Sequence, residues 1–452
     1  MVGVHRRGRP NPGSATLSGT RTDWGRRDLK GRGANLCLGR SFVAKIVVVG
    51  AGVTGVTSAY ALLARGHDVT VLDRHRYPAM ETSYANGGQL SASNAEVWNS
   101  WSTVLKGLRW ILRSDAPLLL NLKPSWHKYS WLAEFCAQIP NHRLNTVATT
   151  RLAIAARDHL FAMAQAEGID FDLERRGLLH LYYDQAAFRK AVKANDLLRE
   201  GGLERDAVSP GEIRDLEPSL RGAVHGGLYT PSDCSGDIHK FTRGLAAACE
   251  RRGAHFHHGV EVEAIVPGAE RVTIRTGAGA PEPVIEADQV LICAGVASRR
   301  LAAQIGDRIN IYPVKGYSVT VFLPDKASQA AAPWISLLDE DAKIVSSRLG
   351  ADRFRIAGTA EFNGFNRDIR ADRIAPLIRW CERLFPSLPT SAVIPWAGLR
   401  PMTPTMLPRV GRGSHPRVFY NTGHGHLGWT LSAATAQLVA HSMGARTGAA
   451  AG

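Results

Sequence analysis

The sequence predicts an α/β protein in which a doubly wound, Rossmann-like domain is interleaved with an α+β domain that contains an antiparallel sheet. Three observations predict this class. The apolar stretch Lys45–Val49 is typical of a parallel strand buried on both faces, and it leads into a glycine-rich turn and a helix. Similar apolar strands return much later, at Val290–Cys293 and Val418–Tyr420. Between these two returns, residues 317–358 alternate in polarity around the turn Gly350-Ala351-Asp352, which predicts antiparallel strands.

Length and composition fit this organisation. At 452 residues the chain is too long for one hydrophobic core, and 44% hydrophobic with 21% charged residues is ordinary for a globular enzyme. No apolar run reaches the roughly 18–20 residues that would span a bilayer. The six cysteines include no CxxC pair, which argues against structural zinc or a disulfide framework and favours reduced thiols in the cytoplasm. We therefore predict no metal site.

The N-terminal stretch carries much of the positive charge. Residues 1–44 hold nine Arg or Lys against two acidic residues, a net charge of +7, which leaves +8 for the other 408 residues. The stretch has no apolar period, so we expect a disordered basic extension rather than a nucleic-acid-binding surface. Arg26 and Arg27 resemble an export signal, but Arg32 and Arg40 interrupt the segment that should be apolar. We expect residues 1–42 to lie upstream of the natural start.

The first glycine-rich turn indicates a dinucleotide site. In the sequence Gly50-Ala51-Gly52-Val53-Thr54-Gly55, Gly50 permits a tight turn and Gly52 lets a pyrophosphate approach amides at a helix N-terminus. Gly55 allows close packing of helix and strand. Asp73 ends the second strand, His67–Leu72, where a carboxylate would accept hydrogen bonds from ribose and would disfavour NADP. The predicted binding residues of this unit are Gly50, Gly52, Val53, Thr54, Gly55, Asp73 and Arg74.

A second glycine-rich loop, Gly423–Gly428, precedes a helix over about Trp429–Ser442. The partial positive charge of that helix N-terminus would stabilise the negative charge that a reduced flavin gathers at its N1–C2 edge. A nicotinamide has no comparable edge, so this loop favours FAD over NAD, although a loop that merely turns the chain is an open alternative. The predicted binding residues here are Gly425, Leu427 and Gly428.

The remaining patterns place the domain boundaries. Helices are predicted over Gln185–Glu200 and Ile238–Arg251, and a strand over His258–Ile265. His255, His257 and His258 fall on both faces of a strand start, which suits a solvated surface better than a metal site. We predict a dinucleotide-binding domain formed by residues 45–100, 225–305 and 395–445, and a substrate domain formed by residues 101–224 and 306–394.

Three segments together resemble the D-amino acid dehydrogenase family, within the wider family of D-amino acid and glycine oxidases. They are Glu81–Ser91 (ETSYANGGQLS), Gly398–Pro404 (GLRPMTP) and Gly423–Trp429 (GHGHLGW). The segment Lys315–Ser318 is similar too. The sequence departs from the family pattern in two places. Thr405-Met406 stands where Asp-Gly is common, and His426 stands where Thr is more usual.

The resemblance implies a two-domain fold with noncovalently bound FAD. It implies that electrons pass from the D-amino acid substrate to a respiratory quinone or another acceptor, with the 2-oxo acid formed by way of the imino acid. It also implies that Ser83, Asn86, Gly88 and Gln89 lie beside the flavin, whereas without the resemblance this stretch is an ordinary Asn-Gly turn. The last cysteine, Cys381, precedes the second glycine loop, which argues against covalent attachment of the flavin.

Amino-acid oxidation needs the Cα hydrogen to leave as hydride toward flavin N5, so the protein's task is orientation. Arg400 is the candidate that binds the substrate carboxylate, because a guanidinium can form two parallel hydrogen bonds with a carboxylate. The alternative is that Arg400 forms an interdomain salt bridge. Tyr317 could add a hydroxyl to the carboxylate or be a core tyrosine. His424 is a third candidate near the ring, with a solvent-facing or capping histidine as the alternative.

Other functions stay open at this point. The same fold and carboxylate site would serve an FAD enzyme acting on glycine, sarcosine or imino acids of the D-hydroxyproline type. The sequence pI of about 9.8 motivates an RNA-binding flavoprotein, although we expect no nucleic-acid partner. The stretch Trp98–Trp131 combines tryptophans with basic residues, so either core packing or peripheral contact with the inner face of the cytoplasmic membrane would explain it.

Overall fold

The computed structural model describes residues 43–110, 117–277, 280 and 282–444. The predicted basic extension, residues 1–44, lies outside the described residues except for its last two positions.

Strands and helices alternate along the described chain. Its strands are β1 (Lys45–Val49), β2 (Asp68–Asp73), β3 (Gln89–Leu90), β4 (Leu118–Leu120), β5 (Leu178–Tyr182), β6 (Asp206–Val208), β7 (Gly226–Thr230), β8 (Cys234–Ser235), β9 (His255–His258), β10 (Val262–Pro267), β11 (Val272–Thr276), β12 (Val284–Ala287), β13 (Gln289–Ile292), β14 (Tyr312–Phe322), β15 (Ser336–Asp339), β16 (Ile344–Leu349), β17 (Arg353–Phe362), β18 (Val393–Met402), β19 (Arg409–Arg412) and β20 (Val418–Thr422). Its helices are α1 (Val53–Leu63), α2 (Trp101–Trp110), α3 (Trp126–Ala137), α4 (His142–Glu167), α5 (Gln185–Glu200), α6 (Pro210–Leu216), α7 (Ile238–Arg251), α8 (Ser298–Gln304), α9 (Lys326–Ala331), α10 (Ala371–Leu384) and α11 (Gly428–Gly444). Short 3₁₀ helices span Ala92–Asn94, Ile139–Asn141, Gly295–Ala297 and Gly425–Leu427.

A six-stranded sheet in the order β19-β20-β13-β1-β2-β9 forms the centre of the Rossmann-like part. Its strands are parallel except for β19, which is antiparallel to β20. The order places β1 between β2 and β13, so the loops that follow these three strands meet at one edge. That edge is where ligands bind in open parallel sheets.

Both faces of this sheet are covered, which explains the continuous apolar sequence of β1. Ile46 and Val48 pack into a core with residues of α1, α7 and α11. Val47 and Val49 face the other way, toward a core that includes residues of the small antiparallel sheet β10-β11-β12. The alternation follows from the period of two along a strand.

The second large sheet has the order β18-β14-β17-β16-β15-β5-β7-β6, with β4 paired to β17. Its long strand β14 pairs antiparallel with both β17 and the edge strand β18, and α10 packs against the sheet through Leu377 and Trp380. β18 carries the segment Gly398–Met402, so Arg400 lies on this sheet. The predicted α/β class, with parallel and antiparallel sheets, is confirmed.

Most predicted elements agree with the structure. The helices expected over Gln185–Glu200 and Ile238–Arg251 have the predicted bounds. The single strand expected over His258–Ile265 is wrong. β9 ends at His258 and β10 begins at Val262, because Gly259 takes a φ of +73° and turns the chain between two different sheets.

The division into two domains stays a prediction. The strands that pair in the nine-stranded sheet include β7 at residues 226–230 and β18 at residues 393–402. The predicted boundaries at 225 and 395 instead assign these residues to the dinucleotide-binding domain. The chain thus crosses between the sheets within these segments.

Candidate active site

A deep cleft opens at the carboxyl-terminal edge of the six-stranded sheet. Its empty volume, including the solvent at its mouth, is ≈ 1080 Å³. The lining comes from the turns after β1, β2, β13 and β20 and from strand β18. Ten of the predicted site residues line the cleft: Gly50, Gly52, Val53, Thr54, Asp73, Arg74, Ser83, His424, Gly425 and Gly428. The structure therefore brings together residues from the two glycine-rich loops, which are far apart in sequence.

The first glycine-rich turn is shaped by close backbone contacts. Gly50 has a φ of +110°, and a Cβ at this position would lie 2.7 Å from the carbonyl oxygen of Cys293 at the end of β13. A Cβ on Gly55 would lie 1.8 Å from the carbonyl oxygen of Gly50. Gly55 does not line the cleft, but it lets α1 start directly above the turn. Residues 52–54 at the start of α1 line the cleft, which is where a pyrophosphate site is expected.

Asp73 and Ser83 organise the wall beside this turn. One carboxylate oxygen of Asp73 accepts a hydrogen bond from the amide of Ala51 at 2.6 Å, and the other accepts from the amide of His75 at 2.8 Å. The buried hydroxyl of Ser83 accepts from the amide of Val53 at 3.1 Å. Asp73 keeps partial exposure in the cleft, so it can also accept hydrogen bonds from a ligand.

The second glycine-rich loop approaches the same cleft from β20. His424 is buried, and its Nε2 lies 3.0 Å from the hydroxyl oxygen of Thr435. Burial lowers the pKa of His424 to about 3, so the ring is neutral at physiological pH. Gly423 and Gly425 have φ values of +77° and +60°, which turn the chain tightly into α11. Leu427 does not line the cleft, because its side chain packs in a core with Leu431.

Arg400 lies on β18 between Leu399 and Pro401, which line the cleft. Arg400 itself is not among the lining residues, because alternate side chains of a strand point to opposite faces. Its guanidinium covers Gly316 on the neighbouring strand β14, where a Cβ would lie 2.3 Å from the guanidinium carbon. Nη1 donates a hydrogen bond to the carbonyl oxygen of Thr359 at 2.8 Å. Burial lowers the pKa of Arg400 to about 10, which leaves it charged at neutral pH.

No carboxylate among the described residues forms an ion pair with this guanidinium; its hydrogen-bond partner is the carbonyl of Thr359. Thr359 itself has a φ of +61°, an unfavourable conformation for a β-branched residue. The strained backbone turns the carbonyl of Thr359 toward Arg400. A partly buried cation without a counter-charge is suited to receive an anionic ligand.

Of the two roles predicted for Tyr317, the structure agrees with that of a core tyrosine. Its hydroxyl is buried and donates a hydrogen bond to Glu361 at 2.6 Å, next to the buried ion pair between Glu361 and Lys315. Tyr317 packs with the core beneath α10 and does not line the cleft. The alternation of β14 explains this, because Gly316 lies under Arg400 and the next residue must point to the other face.

Three further predicted residues, Asn86, Gly88 and Gln89, pack against the nine-stranded sheet and do not line the cleft. Asn86 accepts a hydrogen bond from the amide of Gly88 at 2.9 Å, which closes a local turn. Gly88 has a φ of +73°. The side-chain amide of Gln89 donates to Ser336 and to the carbonyl of Leu337 on β15. Through these contacts the Asn-Gly segment connects the loop after β2 to the nine-stranded sheet.

Sequence reasoning missed the cleft wall that follows β13. Residues 293–297, together with Arg300 and Leu301, line the cleft next to the first glycine turn. Glu81 also lines it and forms ion pairs with Arg74 and Arg367. An available signal was the apolar strand ending in Ala294-Gly295, because the carboxyl ends of parallel strands meet at one edge of the sheet.

This geometry defines a class of protein. A cleft lined by residues at two helix N-termini and by an acidic residue after the second strand fits a dinucleotide cofactor. The chain belongs to the FAD-dependent oxidoreductase family, since the family model described as "DAO: FAD dependent oxidoreductase" matches residues 45–442. The cofactor is accordingly FAD, and the protein is an oxidoreductase.

Comparisons with known proteins show which members of this family the chain is similar to. The chain is 60% identical over 396 residues to D-amino acid dehydrogenase 3 of Mesorhizobium japonicum, covering 88% of this chain and 96% of the relative. It is 40% identical to the D-amino acid dehydrogenase of Paramagnetospirillum magneticum, covering 90% and 96%. Among solved structures, glycine oxidase from Geobacillus kaustophilus superimposes with a TM-score of 0.67 at 24% identity, covering 88% and 94%. The resemblance stated from the sequence is confirmed, and the last comparison supports the fold alone.

Proposed function

We propose that this protein oxidises D-amino acids to imino acids, which water then converts to 2-oxo acids. The observation that carries the proposal is Arg400, a charged guanidinium beside the cleft that has no carboxylate partner among the described residues. A substrate carboxylate would supply the missing counter-charge through two parallel hydrogen bonds. The relatives named D-amino acid dehydrogenase support the choice of substrate.

In this proposal the chain's own residues bind and orient the reactants. Bound FAD supplies the hydride acceptor. The amides at the start of α1, set by Gly50 and Gly52, would hold the pyrophosphate, and Asp73 would accept hydrogen bonds from the ribose. The N-terminus of α11 would lie at the flavin's anionic edge. Arg400 would hold the substrate carboxylate so that Cα–H faces the ring, and the chemistry then needs no strong protein base.

We propose that the FAD is held noncovalently. Cys293 lines the cleft, but burial raises the pKa of its thiol to about 12, so it stays protonated and poorly nucleophilic. Acid precipitation of the holoenzyme should leave the yellow colour in the supernatant. Flavin that remained with the precipitated protein would refute noncovalent binding.

We propose a quinone in the cytoplasmic membrane as the electron acceptor. None of the helices in the described ranges is long and apolar enough to cross a bilayer. A peripheral contact would instead use exposed apolar side chains of α2, α3 and the chain between them, with Trp126 84%, Leu122 67% and Trp101 65% exposed. Basic residues surround them, namely Lys106, Arg109 and Lys123. Tryptophan with Lys and Arg suits the surface of an anionic bilayer.

The function is tested by anaerobic reduction of the purified holoenzyme. D-alanine should bleach the flavin absorbance, whereas L-alanine should not. The same panel with glycine, sarcosine and D-hydroxyproline separates the alternative substrates that share this fold. Bleaching by glycine or sarcosine in preference to every D-amino acid would replace the proposed substrate class.

The membrane contact has its own test. Flotation with vesicles containing anionic lipid should carry the protein upward, and the double variant Trp101→Ser/Trp126→Ser should stay behind with its flavin intact. A matched double substitution of exposed apolar residues elsewhere, Val266→Ser/Leu438→Ser, should float like the parent. Flotation of both variants alike would remove this surface from the proposal.

A further inference from the structure

His426 is a histidine of the second glycine-rich loop that lies close enough to Arg400 to be affected by its charge. It lies in the short 3₁₀ helix Gly425–Leu427, which packs against β18, the strand that carries Arg400. Its ring stacks on Trp98, with the ring centroids 4.6 Å apart and the planes inclined by 22°. The stack fixes the ring plane, so the directions of both ring nitrogens are set.

The hydrogen bonds of the ring determine its tautomer. Nε2 lies 3.2 Å from the carbonyl oxygen of Asn94, and because a carbonyl can only accept, Nε2 must carry the hydrogen. In a neutral ring Nδ1 is then a bare acceptor. Nδ1 is buried, and no hydrogen-bond donor reaches it among the described residues. A buried acceptor without a donor costs free energy that a ligand donor would recover.

The charge environment keeps this acceptor available. Burial, with a smaller contribution from the positive charge of Arg400, lowers the pKa of His426 to about 4. The ring is consequently neutral at physiological pH and accepts a hydrogen bond instead of donating one from Nδ1. The acceptor therefore lies within electrostatic range of the Arg400 guanidinium.

We propose that Nδ1 of His426 accepts a hydrogen bond from the amino group of the substrate while Arg400 binds its carboxylate. The inference rests on the proposed function. The two groups sit on one carbon atom, so fixing both leaves two positions on Cα, one for hydrogen and one for the side chain. With Cα–H directed at the flavin, the position of the side chain is decided, and His426 is a specificity-determining residue for the enantiomer.

Two ligands that cannot be oxidised separate the amino contact from the carboxylate contact. 2-Aminoisobutyrate carries both groups but no Cα–H, and isobutyrate carries the carboxylate alone. Their dissociation constants are measured from changes in the flavin absorbance of the holoenzyme. His426→Phe keeps a ring for the stack on Trp98 but loses the acceptor, whereas His426→Asn keeps an acceptor at the δ position but loses the ring.

We expect His426→Phe to weaken 2-aminoisobutyrate at least about tenfold, the effect of losing a hydrogen bond to a charged group, and to leave isobutyrate within about twofold. His426→Asn should retain most of the affinity for 2-aminoisobutyrate. The ratio of kcat/KM for D-alanine over L-alanine should fall in the phenylalanine variant. His426→Leu also removes the acceptor, and it decides the question with the same ligands if the phenylalanine variant does not retain FAD.

Equal weakening of both ligands, or no weakening of either, would overturn the role of His426. Failure of the proposed function looks different. In that case the wild-type holoenzyme itself would bind neither ligand, and D-alanine would not bleach its flavin.

Discussion

Replacing Arg400 by methionine tests the central claim about substrate binding. Methionine has a similar length, so it fills the space above Gly316 without the charge. Each charge-assisted hydrogen bond to the carboxylate is worth about 1.5–3 kcal/mol, and two such bonds give about 3–6 kcal/mol. One factor of ten corresponds to about 1.4 kcal/mol. We therefore expect kcat/KM for D-alanine to fall by about 10² to 10⁴.

Stability should respond in the opposite direction to activity. The guanidinium of Arg400 is held by one carbonyl and by no carboxylate among the described residues, so its burial is poorly compensated. Arg400→Met should leave the Tm of the ligand-free holoenzyme unchanged or raise it. In the wild type, isobutyrate should raise the Tm, because a ligand that binds the folded state stabilises it. The variant should lose that increase.

Arg353→Met provides the matched control. Arg353 forms ion pairs with Asp172 at 2.6 Å and Asp237 at 2.7 Å, so its charge is structurally compensated. This variant should lose stability but keep kcat/KM per folded molecule. Activity is measured with D-alanine and an artificial acceptor, normalised to bound flavin. An Arg400→Met enzyme with kcat/KM within threefold of the wild type would refute the reasoning.

Three further predictions concern the residues around this site. Gly316→Ala should reduce kcat/KM with FAD still bound, because a Cβ there would lie 2.3 Å from the guanidinium carbon and push Arg400 aside. The control is Gly211→Ala, whose Cβ would meet nothing closer than 3.7 Å. This control should leave kcat/KM unchanged. Asp73→Ala should lower the free energy of unfolding by about 1–3 kcal/mol and release FAD, since the amides of Ala51 and His75 lose their acceptor. Urea unfolding measures the stability, and the fluorescence of released FAD measures the loss of cofactor. An unchanged FAD affinity would contradict the prediction. Burial alone would raise the pKa of Glu81, but hydrogen bonds from Arg367 and His75 outweigh it and hold the pKa at about 2, below the ordinary 4.5. The folded state thus favours the ionised form of Glu81. Above about pH 4.5 the wild type should therefore have its largest Tm advantage over Glu81→Gln, and this advantage should shrink as the pH falls toward 2. A Tm advantage that grows on acidification would contradict the prediction.

Local sequence patterns were enough to place the cofactor cleft. The strand Lys45–Val49, the spacing of Gly50, Gly52 and Gly55, and the acid at Asp73 form one βαβ unit within 29 residues. Such a unit is specified by neighbours in the sequence, through strand period, glycine conformation and helix start. The same is true of the helix after the second glycine loop. These residues line or shape the cleft, and their binding of FAD stays a prediction.

The contacts that would select a substrate depend on segments that are distant in sequence. The position of Arg400 above Gly316 requires β18 to pair with β14, and the next residue, Tyr317, is turned into the core by that same pairing. A tyrosine in a strand carries no local sign of which face it will occupy until the partner strands are known. Sequence reasoning could therefore not distinguish its two candidate roles.

The sequence by itself determined the fold class, the cofactor and the family resemblance, because each is encoded in short apolar and glycine patterns. Only the tertiary structure decided that Arg400 is left without an acidic partner in the described chain, and that His426 stacks on Trp98 with Nδ1 unpaired. The physical reason is that burial and hydrogen-bond satisfaction are sums over every segment that packs around a side chain. Burial and hydrogen-bond partners are therefore decided only when the two large sheets and the helix α11 have packed together.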